Sequence, residues 1–289
     1  MIFAHEIPAG SHLYFGRSAH TKRRIEARAA ELLLNQGYEE IVTPLFSYQQ
    51  HENFADRRPL IRLNDADNHE VSLRADSTAD VVRIATRRLG RSSQAKKWFY
   101  IQPVFTFPTT EQYQVGAEVI DGDFTEVTRT ALGLMETLEL HPLVQIANIA
   151  IPRILSERYD VPLAAIEAMN IETILATGHS WIEALVHIQH VADLTDLSLY
   201  PADIAEELAK IADAAAGIAS EHIVVSPLYF ARLRYYDTLT FRMFTGNTVL
   251  ATGGTYTIDD VNAAGFALYT DACVTETLQG ATPPKDTHG

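Results

Sequence analysis

The sequence predicts an α+β protein built on one mostly antiparallel sheet that is flanked by helices. The first supporting observation is that apolar and polar residues alternate in pairs of runs separated by polar turns, as in hairpins. The second is a long amphipathic segment ahead of the first hairpin. The third is a stretch of short alanine-rich helical pieces between the early and late strands. Hairpins build antiparallel sheets, and amphipathic helices can then cover a sheet face.

The first half of the chain alternates helices with hairpins. A helix is predicted over residues 18–36, where Ile25, Ala29 and Leu33 recur at helical spacing and Gly37 follows as a stop. The elements predicted after it are a strand over 38–46 that Pro44 interrupts, a hairpin of 60–62 and 71–73, a helix from about 77 to 89, a hairpin of 98–105 and 112–120, a helix over 124–140 and a strand over 144–149.

The second half begins with a predicted helical insertion at about residues 152–220, rich in alanine and punctuated by proline and glycine. The elements predicted after it are strands at 223–225, 229–244 and 248–257, a turn at Gly246-Asn247, and a closing strand and helix over 261–277. We therefore expect one domain over residues 1–279. Residues 280–289 are rich in threonine and proline, and we expect a disordered tail there.

Composition excludes several classes of protein. Of the 289 residues, 47% are hydrophobic, so the chain can bury one sizeable core. The net charge of −14 argues against nucleic-acid binding, because such proteins usually carry a basic field. The lone Cys273 excludes an intramolecular disulfide and a multi-cysteine zinc site, which fits a reducing compartment. No signal-peptide pattern or apolar run of ~18 residues is present, so we expect a cytoplasmic protein without membrane contact.

Four short segments carry motifs that occur together in one known family. They are Ser72–Ala79, Trp98–Ile120, Leu233–Phe241 and Ala251–Tyr256. The second is similar to the second motif of class II aminoacyl-tRNA synthetases, and the other three resemble motifs of histidyl-tRNA synthetase. Tyr38–Phe46 is in addition similar to the first class II motif, which forms the dimer interface in that family. The resemblance covers nearly the whole chain and implies the fold of the class II catalytic domain.

The resemblance also implies a binding site for histidine. Asp76, Thr78 and Gln114 match the positions that hold the ammonium group in that family. Glu118, together with Tyr235 or Tyr236, matches the positions that hold the imidazole ring. A carboxylate at Glu118 would favour a ring N–H or an imidazolium as its partner.

Two further points concern the backbone and the ligand carboxylate. Gly253 and Gly254 are expected to let the backbone approach the ligand closely. The arginine that would meet the carboxylate is replaced by Ala231. Arg232, Arg234 or backbone N–H groups remain as candidates for that contact.

The chain departs from the synthetase pattern at positions that bind ATP in that family. The three arginines that grip phosphates in the family align with Thr106, Ala231 and Ala272, and the loop of the second motif is shorter. Losing even one such group typically lowers the rate by ~10²- to 10³-fold, so adenylate formation should be lost. The chain ends soon after the third motif, so we expect no anticodon-binding domain.

The combined pattern resembles the histidyl-tRNA synthetase-like regulatory subunit of ATP phosphoribosyltransferase. That resemblance implies a homodimer that assembles with a short-form catalytic subunit, which carries out the first step of histidine synthesis. It implies feedback inhibition by histidine, no catalytic residues and no metal or cofactor in this chain, with any Mg²⁺ used by the partner. Two alternatives remain at this point: an active histidyl-tRNA synthetase, and a scaffold that binds no ligand.

Simpler structural roles compete for several of these residues. Asp76 alone could cap a helix, the two adjacent tyrosines could alternate between core and surface, and Glu118 could face solvent from a strand. His187 and His190 are three residues apart, but no cysteine or convincing carboxylate partner supports a metal site. The basic run over residues 87–97 is either a solvated helix end or a contact with a partner.

Overall fold

The structure is a computed structural model that describes residues 6–48, 58–218, 220, 222–230 and 236–280. Its strands are β1 (Glu39–Glu40), β2 (Phe46–Ser47), β3 (Arg62–Asn64), β4 (Glu70–Leu73), β5 (Lys97–Thr106), β6 (Thr110–Ile120), β7 (Leu143–Asn148), β8 (Ile223–Val225), β9 (Tyr236–Thr245), β10 (Thr248–Ile258) and β11 (Val261–Tyr269). Its helices are α1 (Gly16–Asn35), α2 (Thr78–Ile84), α3 (Phe124–Thr137), α4 (Ala150–Arg158), α5 (Leu163–Glu167), α6 (Ile171–Leu175), α7 (Ser180–Val186), α8 (Ala202–Gly217) and α9 (Thr270–Gly280).

Eight strands form the main sheet, in the order β1-β5-β6-β11-β10-β9-β7-β8. The six inner strands all pair antiparallel with one another. The short edge strands β1 and β8 pair parallel with their neighbours β5 and β7. A second, antiparallel sheet has the order β2-β4-β3. The predicted α+β architecture, a mostly antiparallel sheet flanked by helices, is therefore confirmed.

One face of the main sheet carries the hydrophobic core. Along β6, Val115, Ala117 and Val119 are buried in the largest apolar cluster, which also contains residues of α1, α3, α8 and α9. Successive strand residues point to opposite faces, so Gln114, Gly116 and Glu118 must lie on the other face. That second face is partly covered by α2, whose Ala79 and Val82 pack against residues of β10 and β11.

Residues 38–46, predicted as a strand that Pro44 interrupts, are divided between the two sheets. Glu39–Glu40 pairs with β5 in the main sheet, whereas Phe46–Ser47 pairs with β4 in the second sheet. Between them, the buried Arg74 donates from Nη1 to the carbonyl oxygens of Thr43 (2.9 Å) and Pro44 (3.2 Å). Proline has no N–H to contribute to a strand ladder, so the chain leaves one sheet here and enters the other.

Smaller differences concern where elements begin and end. The α-helix predicted to reach residue 89 ends at Ile84 and continues as a π-helical turn over Ala85–Leu89. Tyr229 and Phe230 were predicted to be in a strand but lie outside β9, which begins at Tyr236. In the interval 152–220, the chain forms most of α4 and all of α5 to α8. Residues 231–235 and 281–289, which include part of a predicted strand and most of the predicted tail, lie outside the described residues.

Candidate functional site

A cavity of about 290 Å³ lies on the face of the main sheet that is opposite the large core. This volume is near the lower end of the range for small-molecule sites, roughly 300–1,000 Å³, and suits a ligand of amino-acid size. Strands β5, β6, β9, β10 and β11 and the start of α2 contribute its wall. The lining residues are Ala75, Asp76, Thr78, Val104, Thr106, Thr110, Gln112, Gln114, Tyr236, Thr252, Tyr256, Gly265, Phe266, Ala267 and Tyr269.

Glu118 is completely buried directly behind this wall and is surrounded by hydroxyl groups. Its Oε1 accepts hydrogen bonds from Thr78 Oγ1 (2.8 Å) and Tyr100 OH (3.4 Å). Its Oε2 accepts a hydrogen bond from Tyr256 OH. Thr78 and Tyr256 also line the cavity, so they connect the buried carboxyl group to the ligand space.

Burial raises the pKa of Glu118 from 4.5 to about 8, and the charge of Asp76 adds to that rise. The hydroxyl donors of Tyr256, Thr78 and Tyr100 act in the opposite direction, because they stabilise the carboxylate. Burial has the larger effect, so Glu118 is mostly protonated at neutral pH. A ligand that brings a positive charge or an N–H donor to this wall will favour the ionised form.

Two glycines create the space that these buried groups occupy. A Cβ at Gly265 would lie 1.8 Å from Glu118 Oε2, and a Cβ at Gly116 would lie 2.0 Å from Cζ of Tyr100. Gly265 is the register partner of Glu118, and Gly116 is the partner of Tyr100. The cavity floor therefore depends on the absence of side chains at two strand positions that sequence analysis had not selected.

Asp76, Thr78 and Gln114 all line the same cavity, although they come from two different elements. Asp76 precedes α2, and its Oδ2 accepts a hydrogen bond from the backbone N–H of Ala79 (3.2 Å). It therefore has a helix-capping contact in addition to its place on the cavity wall. Gln114 Nε2 donates to Oε1 of Gln112 (3.0 Å), which fixes the orientation of this amide pair. Together they present carbonyl and carboxylate oxygens that can accept from an ammonium group.

Tyr236 lines the cavity from the first residue of β9. Its ring packs edge-on against the ring of Tyr256, with 6.4 Å between centroids and an interplanar angle of 82°. Burial raises the pKa of Tyr236 well above its usual value, so its phenol stays neutral. Tyr235, the alternative to Tyr236 in the sequence analysis, lies outside the described residues.

Gly253 and Gly254, which were expected to let the backbone approach the ligand, are not among the described residues that line the cavity. Their part in ligand binding stays a prediction. A Cβ at Gly253 would lie 2.6 Å from the ring of Phe241, and one at Gly254 would lie 2.4 Å from the carbonyl oxygen of Leu239. Glycine is required at both positions because β9 and its side chains pack tightly against β10.

Sequence analysis missed three tyrosines of the site. Tyr100 and Tyr256 bind Glu118, and Tyr269 OH forms a 2.8 Å hydrogen bond with Oγ1 of Thr252 on the cavity wall. A sequence signal existed for Tyr256, which is the last residue of the Ala251–Tyr256 segment. Only the fold reveals Tyr100 and Tyr269 as residues of the site, because each contacts a residue of the neighbouring strand, Glu118 of β6 and Thr252 of β10 respectively.

The candidate metal site at His187 and His190 gains no support among the residues that the structure describes. Within them, no group of three or more histidine, cysteine, aspartate or glutamate side chains is placed to hold a metal ion. His187 Nδ1 instead contacts the backbone oxygen of Glu183 (2.7 Å), and His179 packs against Trp181. In the same part of the chain, every helix is too short or too polar to cross a membrane.

Comparison with known proteins identifies the family. The family model described as histidyl-tRNA synthetase matches residues 14–273. The ATP phosphoribosyltransferase regulatory subunit of Wolinella succinogenes is 42% identical over 96% of this chain and 98% of its own length. The chain belongs to the family of histidyl-tRNA synthetase-like regulatory subunits of ATP phosphoribosyltransferase. The protein of the same name from Helicobacter hepaticus is 41% identical over 95% of this chain and 98% of its own.

Solved structures of other proteins share the fold. A Bacillus halodurans structure described as an ATP phosphoribosyltransferase regulatory subunit/histidyl-tRNA synthetase superposes with a TM-score of 0.81, at 21% identity, over 96% of this chain and 84% of that one. Histidyl-tRNA synthetase of Nostoc gives a TM-score of 0.74 at 12% identity, over 98% of this chain and 77% of that one. The predicted class II synthetase-like fold is confirmed.

Proposed function

We propose that this chain is a non-catalytic regulatory subunit of ATP phosphoribosyltransferase, and that it binds histidine in the cavity described above. The observation that carries the proposal is the identity of 42% with a regulatory subunit over nearly the full length of both chains. The partner that we propose is a separate short-form catalytic subunit, which requires this chain for full activity. Histidine would oppose that stimulation and so provide feedback inhibition.

The chemistry of the cavity supports histidine as the ligand. Asp76 and the Gln112–Gln114 pair provide acceptors for an ammonium group. Thr78 and Tyr256 hydroxyls, backed by the buried carboxyl group of Glu118, can meet the imidazole ring. Only Asp76 brings an acidic side chain to the lining itself, and its charge suits a ligand with a cationic end.

The composition of the wall supports a role without ATP chemistry. No lysine, arginine or histidine is among the described residues that line the cavity. Thr106, which aligns with the first phosphate-gripping arginine, lies on that wall, and a hydroxyl cannot replace a planar, charged guanidinium. Ala272, which aligns with the third, lies in α9 and packs against the large core. Ala231 lies outside the described residues.

The test uses the full chain together with a short-form catalytic subunit from the same source. Without this chain, that subunit should condense ATP with phosphoribosyl diphosphate slowly; stoichiometric addition should raise its rate, and histidine should reverse the increase. This chain alone should show neither that activity nor histidine-dependent ATP–pyrophosphate exchange. An unchanged rate on addition would refute the regulatory role, and pyrophosphate exchange would instead favour an active synthetase.

A matched pair of variants links the effect to the cavity. Asp76→Asn removes the charge proposed to hold the ammonium group, so inhibition should require at least roughly tenfold more histidine, because a hydrogen bond to a charged group contributes about 1.5–3 kcal/mol. Glu172→Gln removes a charge from the exposed α6 and should leave inhibition unchanged. Equal histidine sensitivity in the two variants would contradict this assignment of the cavity.

We also propose that the chain binds histidine without a metal ion and that any Mg²⁺ requirement belongs to the catalytic partner. Calorimetric titration with histidine should give the same affinity in buffer that contains Mg²⁺ and in buffer that contains EDTA. A loss of binding in EDTA would overturn this proposal. The complex should function in the cytoplasm, where a buried free thiol such as Cys273 remains reduced.

Homodimer formation is proposed through the segment that resembles the first class II motif. Val42 is 77% exposed, and Phe46 and Leu63 are also exposed apolar residues. By register, Phe46 and Leu63 lie on the same face of the second sheet. An exposed apolar surface of this kind often marks an interaction site. In sedimentation velocity experiments, the Phe46→Glu variant should be monomeric. The control variant Phe107→Glu, at the exposed β5–β6 turn, should remain dimeric. A dimeric Phe46→Glu variant would exclude this interface.

A further inference from the structure

The cavity lining leaves one part of an amino-acid ligand without a partner. Asp76 and the glutamine pair suit an ammonium group, but none of the described lining residues carries a positive charge for a carboxylate. Arg232 and Arg234, the candidates that the sequence offered, lie outside the described residues. A different cation, Arg242, is the register partner of the cavity-lining residue Thr252.

Strand register places Arg242 on the cavity face of the main sheet. In β9 it pairs with Thr252 of β10, and Thr252 pairs with Ala267 of β11. Paired residues of neighbouring strands point to the same face, and both Thr252 and Ala267 line the cavity. Arg242 therefore lies on the same face of the sheet as Thr252 and Ala267, on the next strand after β10.

The guanidinium of Arg242 has donors to spare. Within the described part of the chain, its hydrogen bond is a long one of 3.4 Å, from Nη1 to Oε1 of Gln145. Its Cζ lies 5.1 Å from the ring centroid of Tyr229, which stacks against the cation. Arginine carries five N–H donors in a planar fork that matches a carboxylate. Most of that fork is thus available to an anion.

The hydroxyl of Tyr269 is influenced by the charges of both Arg242 and Asp76. It is hydrogen-bonded to Oγ1 of Thr252 at 2.8 Å and belongs to the cavity wall. Burial is the largest cause of its raised pKa; among the charged groups, Arg242 lowers this pKa and Asp76 raises it. A positive and a negative group therefore both act on the same hydroxyl of the cavity wall.

We propose that Arg242 binds the carboxylate of a zwitterionic amino acid whose ammonium group is held by Asp76. The hydroxyls of Thr252 and Tyr269 lie next to Arg242 and add donors to this carboxylate subsite. The inference rests on the proposed function in taking histidine as the ligand. It adds a selectivity: the cavity requires a free carboxylate, so histidine binds and the corresponding amine, histamine, binds much more weakly.

Calorimetry on the full chain without the catalytic subunit tests this inference. Wild type should bind histidine more tightly than histamine by roughly 10- to 100-fold, which corresponds to the value of a hydrogen-bonded charge. Arg242→Gln should lose most of that preference, because its affinity for histidine falls while its affinity for histamine stays the same. Arg158 is an exposed arginine at the end of α4 that pairs with Asp203 of α8. The variant Arg158→Gln should behave like wild type.

Three results would overturn the assignment: equal binding of the two ligands by wild type, an unchanged histidine affinity in Arg242→Gln, or loss of the preference only in Arg232→Gln or Arg234→Gln.

If Arg242→Gln does not fold, Arg242→Lys provides the test, since lysine keeps the charge but lacks the planar fork. It should bind histidine several-fold more weakly and histamine normally; wild-type affinity for both would refute the role of Arg242. Failure of the proposed function would appear separately, as an absence of stimulation in the assay with the catalytic subunit.

Discussion

The two faces of the main sheet bury groups of opposite polarity. On the core face, Val115 and Leu268 are 0% exposed and lie among other apolar side chains. On the cavity face, the neighbouring Glu118 is also 0% exposed, yet it carries a carboxyl group. Burial stabilises the first set by removing apolar surface from water, whereas it costs free energy for the second.

The cavity face meets that cost in two ways. Three hydroxyls donate to Glu118, and the carboxyl group keeps its proton up to a pH of about 8. A strand whose side chains alternate with a two-residue period can thus carry an apolar core on one side and a buried ionisable group on the other. Variants on the two faces should therefore differ in pH dependence as well as in size of effect.

The largest effect is expected on the core face. Phe241→Ala removes a ring that is 1% exposed, contacts Phe124 edge-on and fills the space beside Gly253. It should lower the free energy of unfolding by about 3–5 kcal/mol, independently of pH between 5 and 8, in urea denaturation. Phe107→Ala, at a position 65% exposed, should change stability by less than about 0.5 kcal/mol. Similar losses in both variants would contradict the location of the core.

Glu118→Gln should change how stability depends on pH. The folded-state pKa of about 8 is above the ordinary value of 4.5, so the contribution of the protonated group is fully present below pH 4.5 and is lost as the pH rises through about 8. Across that window, wild type should lose on the order of 3–5 kcal/mol that the variant retains. Urea denaturation at several pH values measures this difference. Parallel curves for wild type and variant would show that Glu118 is ionised in the folded protein.

Two glycine substitutions should have opposite signs. Gly265→Ala forces a methyl group to within 1.8 Å of Glu118 Oε2, so we expect destabilisation by about 1–3 kcal/mol and weaker histidine binding. Gly133→Ala, in the interior of α3, meets no atom within 4 Å and should stabilise the protein by about 0.5–1 kcal/mol. Thermal unfolding and calorimetry distinguish them. A stabilising Gly265→Ala would mean that the cavity floor can move.

The smallest effect is expected from single hydroxyls. Tyr256→Phe removes a donor to Glu118 and should cost about 1 kcal/mol at pH 8, where the carboxylate form is appreciably populated. Tyr100→Phe removes a longer contact of 3.4 Å and should cost less. Because both hydroxyls stabilise the carboxylate, their loss should raise the pKa of Glu118 further. A fall in that pKa, followed by NMR of the side chain, would contradict this account.

Much of the fold and part of the site were predictable from local pattern. The hairpin pattern along 98–105 and 112–120 predicted β5 and β6, and the resemblance to histidyl-tRNA synthetase selected Gln114 and Glu118 as site residues. Predictions that depended on distant contacts were less successful. The interruption of the strand over 38–46 at Pro44 was predicted, but its division between two sheets was not, because that depends on pairing with β5 and β4 and on the contact of Arg74 with Pro44.

By itself, the sequence determined the order of the elements, the alternation that separates the two sheet faces and the family to which the chain belongs. Only the tertiary structure decided that Glu118 is enclosed by Thr78 and Tyr256, which are 40 and 138 residues away, and that Gly265 rather than Gly253 makes room for it. The physical reason is that local preferences depend on neighbours in sequence. A pKa, a cavity and a close packing contact depend on atoms that only folding brings together.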